Sequence, residues 1–148
     1  MRRIALFLFL AAASLTLLAQ NPATTPAGRW KTIDDATGHA KAIVVLTEQN
    51  GVLSGSIEKV LETEQPGPNP VCLKCEGELQ NRPLTGLRIL WEMRRTGNEW
   101  AGGQILDPKS GKTYRCIVTL TNGGKTLKVR GFIGMALLGR TQIWQRID

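Results

Sequence analysis

Between Trp100 and Arg146 the chain reads as four strands, EWAGGQIL, KTYRCIVTL, TLKVRGFI and RTQIWQRI, joined by three connections. Those connections are Asp107-Pro108-Lys109-Ser110-Gly111, Asn122-Gly123-Gly124-Lys125 and Gly134-Met135-Ala136-Leu137-Leu138-Gly139. The first two carry the residues that tight reversals demand, because proline presets one backbone dihedral and glycine accepts a positive one. Strand, turn and strand recurring about every dozen residues is the pattern of antiparallel β-structure and not of βαβ units.

The front half obeys the same rule. Gly28-Arg29-Trp30-Lys31-Thr32-Ile33 is a first strand with Trp30 turned inward, and Asp34-Asp35-Ala36-Thr37-Gly38 is a turn echoed at Asp107 to Gly111. His39 to Glu48 is a second strand rich in β-branched residues, Asn50-Gly51 marks a type I′ hairpin, and Val52 to Val60 is the third. Ala40, Ala42, Val44 and Leu46 fall on one face, with Leu53, Gly55 and Ile57 as same-face partners. Regularity then breaks at Leu61 to Gly86, where Pro66, Pro68, Pro70 and Pro83 preclude a continuous helix. A connection of that length reads as a lid or flap. Leu87 to Arg95 resumes as a fourth strand, with Leu87, Ile89, Trp91 and Met93 on one face by strict alternation. Gly102-Gly103 inside the next strand suggests a bulge. The resulting expectation is an all-β, eight-stranded antiparallel up-and-down barrel with a long loop between strands three and four. Pairing the first strand with the last removes exposed edges.

The N-terminus is a separate matter. Met1-Arg2-Arg3 precedes an apolar run, Ile4 to Ala13, and then Ser14 to Ala19. This is the pattern of a secretory signal peptide, too short for a membrane span and without positive charges behind it. Residues 1–19 are assigned to it, with cleavage after Ala19, or alternatively after Ala13. Residues 20–27 are expected to be a disordered linker, and residues 28–148 the barrel domain. Removing the leader lowers the formal charge from +7 to about +5, a modest bias toward anionic neighbours. The basic residues are scattered among acids, with no interleaved aromatic and basic run, so nucleic acid is not an expected partner. Export implies the periplasm, or else the extracellular space, with no transmembrane segment in the mature chain.

Three cysteines, Cys72, Cys75 and Cys116, would enter an oxidising compartment and form one disulfide, leaving a thiol over. A bridge from the 72/75 pair to Cys116 would close about 40 residues and contribute on the order of 4 kcal/mol in the chain-entropy model. Cys-x-x-Cys as a redox pair lacks a βαβ setting, and three cysteines with the distant His39 make a poor zinc set. No catalytic constellation, metal site or cofactor motif emerges: Asp34, Asp35 and Asp107 cap turns, and Gly111-Lys112-Thr113 lacks the preceding glycine of a phosphate loop. Met135 to Leu138 is an apolar connection expected to plug a barrel end; exposed instead, it would touch lipid or a partner.

The ordered blocks Gly102-Gly103, Ile105-Leu106-Asp107-Pro108, Tyr114, Leu127-Lys128-Val129-Arg130-Gly131, Leu138-Gly139-Arg140-Thr141 and Trp144 resemble the bacterial exported domain of unknown function 2147. Gly28-x-Trp30, Asp34, Gly38 and Asn50-Gly51 fit the front half of the same family. The resemblance implies an exported lipocalin-like barrel and carries no catalytic residues over. It also implies, by similarity to lipocalins, an arginine of the last strand covering Trp30, with Arg140 the first choice and Arg146 the second. The functional expectation is binding of a small apolar or amphipathic ligand by Trp30, Trp91, Met93, Tyr114 and Val129. The alternative is a solid module contacting anionic envelope components or a protein; a thiol-based redox or metal role ranks third.

Overall fold

The structure, a computed structural model, describes residues 25–148; the expected signal peptide, residues 1–19, and residues 20–24 of the expected linker lie outside the described residues. Nine strand segments follow one another as β1 (Gly28–Ile33), β2 (Ala40–Gln49), β3 (Val52–Val60), β4 (Arg88–Thr96), β5 (Glu99–Ala101), β6 (Gln104–Asp107), β7 (Lys112–Thr121), β8 (Thr126–Phe132) and β9 (Arg140–Arg146). All pairings are antiparallel. β5 and β6 each pair with both β4 and β7, so they are two halves of one stave interrupted at Gly102-Gly103. The nine segments therefore make an eight-stranded barrel. It closes where β1 meets β9, with Trp30 opposite Arg146 and Thr32 opposite Trp144. No helix among the described residues is long and apolar enough to cross a membrane.

The turns form for local reasons. Asp34 Oδ1 accepts the amides of Ala36 and Thr37 at 2.9 Å, and Asp107 Oδ1 accepts that of Lys109 at 3.0 Å, each closing an Asx turn. Asn50 and Gly51 both have positive φ, 51° and 73°, as a type I′ hairpin requires.

Strict alternation fails in β4. Leu53 pairs with Met93 and Gly55 with Leu90, so Trp91 and Glu92 together oppose Ser54, and Glu92 takes φ 58°. This bulge puts Leu90 and Met93 inside the barrel and turns Ile89 and Trp91 outward, correcting the single face read from sequence. Ile89 is nonetheless only 5% exposed.

The long connection is folded in its own right. Cys72 N–H donates to the Arg82 carbonyl at 2.8 Å, Asn81 N–H to that of Cys72 at 3.0 Å and Leu84 N–H to that of Pro70 at 2.9 Å. The Gln65 amide brackets the backbone of Val71 at 2.8 and 2.9 Å. Cys72 and Cys75 are bonded to each other, with 5.4 Å between their Cα atoms, and both are buried. The backbone of Lys74 and Cys75 sits where a side chain on Gly111 would project. The flap is thus fastened to the β6–β7 turn, where Cys72 Sγ also lies 3.6 Å from the Pro108 carbonyl, and to β3, where Gly86 N–H donates to the Ile57 carbonyl at 2.7 Å.

That placement decides the cysteine chemistry. Cys116 is a free, buried thiol on the inner face of β7, while Cys72 and Cys75 are bonded to each other within the flap. The bridge closes a very short loop, worth about 2 kcal/mol in the entropic model instead of the larger value expected for a bridge to Cys116.

The Met135–Leu138 run does not plug the barrel. Arg130 faces outward from β8 and draws the loop to the outer side, donating from Nε to the Ala136 carbonyl at 2.6 Å, from Nη2 to that of Leu137 at 3.0 Å and from Nη1 to Thr141 Oγ1 at 2.7 Å. Met135, Leu137 and Leu138 are left in solvent at 66, 81 and 77% exposure.

Candidate functional site

One end of the barrel is sealed. Trp30 is completely buried and donates its indole N–H to the Pro26 carbonyl at 2.8 Å. The Arg146 guanidinium lies 4.4 Å from the Trp30 ring centroid. It donates from Nε to the Gly124 carbonyl at 2.7 Å, from Nη1 to that of Ala27 at 2.9 Å and from Nη2 to that of Thr25 at 2.7 Å. Thr25 to Ala27, assigned to the linker from sequence, are therefore bound to the floor by bonds no composition rule reports. Above them Val44, Leu46, Leu53, Met93, Val118, Leu127 and Trp144 are all buried and pack as one cluster. The indole N–H of Trp100, in the same cluster, has no acceptor among the described residues.

Arg140 is not the tryptophan's cover. It pairs instead with Asp35 of the β1–β2 turn, through Nε at 2.7 Å and through a second contact from Nη2 to Oδ1. The bond from Arg140 holds the Asp35 carboxyl below its ordinary range, and Asp35 raises the Arg140 guanidinium in turn. Both arginines lie on one face of β9, but six residues of strand, about 20 Å, carry them to opposite ends of the barrel.

At the Arg140 end the interior opens. Directly paired residues share a face, so the inner wall follows from register: Thr32 pairs with Ala42 and Ala42 with Val60, Leu90 with Ile105 and Ile105 with Tyr114, Cys116 with Gly131, and Val129 with Gln142. Of these, Ala42, Val60, Ile105, Tyr114, Gly131 and Gln142 are only half-buried, whereas Leu90, Cys116 and Val129 below them are buried. A Cβ placed on Gly131 would lie 3.5 Å from Tyr114 Cβ and 3.6 Å from Ile105 Cγ2, so the three positions converge. Register and burial thus gather half-buried, mostly apolar inward positions at this end, here called the cup, with the Gln142 amide among them and Arg140, paired with Asp35, two residues away on the same face of β9.

Of the expected lining residues, only Tyr114 stands in this cup. Trp30, Met93 and Val129 are 0, 0 and 3% exposed and belong to the packed floor, while Trp91 lies on the outer face beyond the β4 bulge. Ile105, Gly131 and Gln142 were missed. Ile105 follows the Gly102-Gly103 break that resets parity, and the inner face of β9 is identified only by the pairing of Trp144 with Leu127.

Burial pushes the Cys116 thiol up to about 12. Since the thiolate is the reactive form, iodoacetamide at about pH 8 is expected to leave Cys116 unmodified in the native protein and to alkylate it once urea unfolds the chain. Intact mass reads the result. Labelling of the native protein at the rate of a free thiol would contradict the placement.

A closed eight-stranded antiparallel barrel with a tryptophan–arginine floor defines a lipocalin-like barrel. The chain belongs to a family described as an uncharacterized protein conserved in bacteria, DUF2147, whose model matches residues 28–146. Among solved structures it is similar to a chain titled "Protein HP1028 from the human pathogen Helicobacter pylori belongs to the lipocalin family", with TM-score 0.71, 19% identity and 84% of each chain covered. That likeness is one of fold. Comparison with the curated proteins gives no match.

Proposed function

We propose that the protein is an exported, non-enzymatic binding module that holds a small apolar or amphipathic ligand in the cup between Ala42, Val60, Ile105, Tyr114, Gly131 and Gln142. The observation that carries this reading is a contrast along the barrel axis. Inward-facing positions at the Trp30 end are closed and dry, whereas mostly apolar inward positions at the Arg140 end keep access to solvent. Leaving apolar surface half-wetted forgoes about 25 cal/mol per Å², and a concave apolar wall with a few polar groups at its rim suits a ligand that is mainly hydrocarbon. Gln142 and the Asp35–Arg140 pair would face the ligand's polar end. The Met1–Ala19 leader supports a periplasmic setting, testable by N-terminal sequencing of the protein from its own host.

Titration with the apolar fluorophore N-phenylnaphthylamine tests the cup. Saturable binding to the native protein is expected, weakened at least tenfold by Gly131→Leu, which fills the space between Tyr114 and Ile105. Gly131 has an ordinary backbone conformation and its first added carbon meets only normal contacts, so this variant should keep its urea midpoint. Binding that is absent in the parent, or equal in the variant, would remove the proposal.

A further inference from the structure

We infer that the β8–β9 loop, residues 133–139, is a lipid-contacting tip that seats this end of the barrel on an anionic membrane surface. Ile133, Met135, Leu137 and Leu138 are 69, 66, 81 and 77% exposed, four large apolar side chains within six residues. Single exposed hydrophobes are ordinary on protein surfaces, but a contiguous cluster marks a contact.

The exposure is built in. A loose loop of this composition would collapse its leucines onto the nearest apolar surface, but this loop has two fastenings to Arg130, the Leu138 N–H to Met135 carbonyl bond at 3.0 Å and a single turn of 3-10 helix at Ala136–Leu138. Gly139 packs so tightly beneath it that a Cβ there would lie 2.9 Å from Phe132 Cβ and on the Gly131 carbonyl. The backbone is held to the barrel while the side chains point away.

Charge selects the partner. Arg130 and Arg140 flank the loop, and Arg115 lies over the Phe132 ring at 5.4 Å; among these three, the only carboxylate paired is Asp35, on Arg140. An apolar tip with a cationic shoulder suits the interface of a bilayer carrying anionic headgroups, where arginine reaches phosphate while leucine and methionine enter the acyl boundary. On a second copy of the chain, the concavity lined by Glu92, Arg94, Thr96, Ala101 and Gly102 is polar and charged, which leaves only the cup as a competing seat for the tip, and the sedimentation outcome below reads that alternative out. The inference stands on the loop alone and does not require the cup to hold a ligand.

Co-sedimentation with vesicles of phosphatidylglycerol and phosphatidylcholine tests it. The native protein is expected to partition onto vesicles rich in phosphatidylglycerol, at least tenfold more weakly onto pure phosphatidylcholine, and less as salt rises. Leu137→Ser/Leu138→Ser is expected to lower partitioning at least tenfold while leaving the urea midpoint and N-phenylnaphthylamine binding unchanged, since both side chains are in solvent. Absence of vesicle binding by the parent, or equal binding by the double variant, would overturn the inference. So would sedimentation equilibrium showing a parent dimer that the same substitutions dissociate, because the tip would then serve a second copy.

Discussion

Arg146→Ala is expected to lower the unfolding free energy by about 3 to 5 kcal/mol, as a drop in urea midpoint at constant slope. The side chain is 10% exposed and joins three parts of the chain that sequence holds apart: the Thr25–Ala27 segment, the β7–β8 turn at Gly124 and the Trp30 ring. Removing it strands three carbonyls and uncovers one indole face. Charge-assisted hydrogen bonds contribute about 1.5 to 3 kcal/mol each and a desolvated cation–π contact about 2, but these do not add, since one reorganisation of residues 25–27 relieves several at once. Arg146→Lys separates geometry from charge: the ammonium can stay over Trp30 but cannot bond three carbonyls in different directions, so about half the loss should persist. A Trp30→Phe partner in both backgrounds should give a coupling energy near 1 kcal/mol. Additive losses would show that Arg146 acts only through the carbonyls. By contrast, Arg140→Ala should change the midpoint little, because its pair with Asp35 is exposed and screened.

The two arginines also show where the sequence stopped being readable. Its turns announce themselves locally: Asp34, Asp107 and Asn50-Gly51 each bring their own hydrogen bond or backbone preference, so the staves between them and the joining of β1 to β9 could be anticipated. Choosing between Arg140 and Arg146 needed the register of that last pairing. They share a face of one strand, and no property of either residue states which end of it meets Trp30. The cysteines pose the same difficulty, since spacing cannot say that Cys72 pairs with Cys75 and that Cys116 stays a free, buried thiol. Parity counting misled in β4 because a glutamate at positive φ leaves no compositional mark, and each residue between the bulge and the strand's end then changes sides. The Met135–Leu138 run misled for a different reason. Apolar composition argues for burial, but Arg130 of the preceding strand overrides it by holding the loop's carbonyls on the outer face.

The β4 bulge and the break between β5 and β6 are two sides of one joint, and this leaves Gly103 no room for a side chain. A Cβ there would fall on the Trp91 carbonyl oxygen and lie 2.7 Å from both the Glu92 carbonyl carbon and Met93 Sδ. Two of these are backbone atoms and the third belongs to a side chain with no exposure, so none can swing aside. Gly103→Ala is therefore expected to cost about 3 kcal/mol or more, in the range of overpacked cores. Its neighbour supplies the control. Gly102 has φ 82° but nothing within 4 Å of an added Cβ, so Gly102→Ala should cost only about 1 kcal/mol of backbone strain. The two variants should also differ in function, because Gly103 accepts the Cys116 amide at 3.1 Å and stands beside the Leu90–Ile105 pair that walls the cup. Parting β4 from β6 there would displace Ile105 from Tyr114, so N-phenylnaphthylamine binding should weaken in Gly103→Ala and survive in Gly102→Ala. Equal losses of stability in the two variants would mean that the strands do not approach through Gly103, and the inner wall deduced from that register would have to be redrawn.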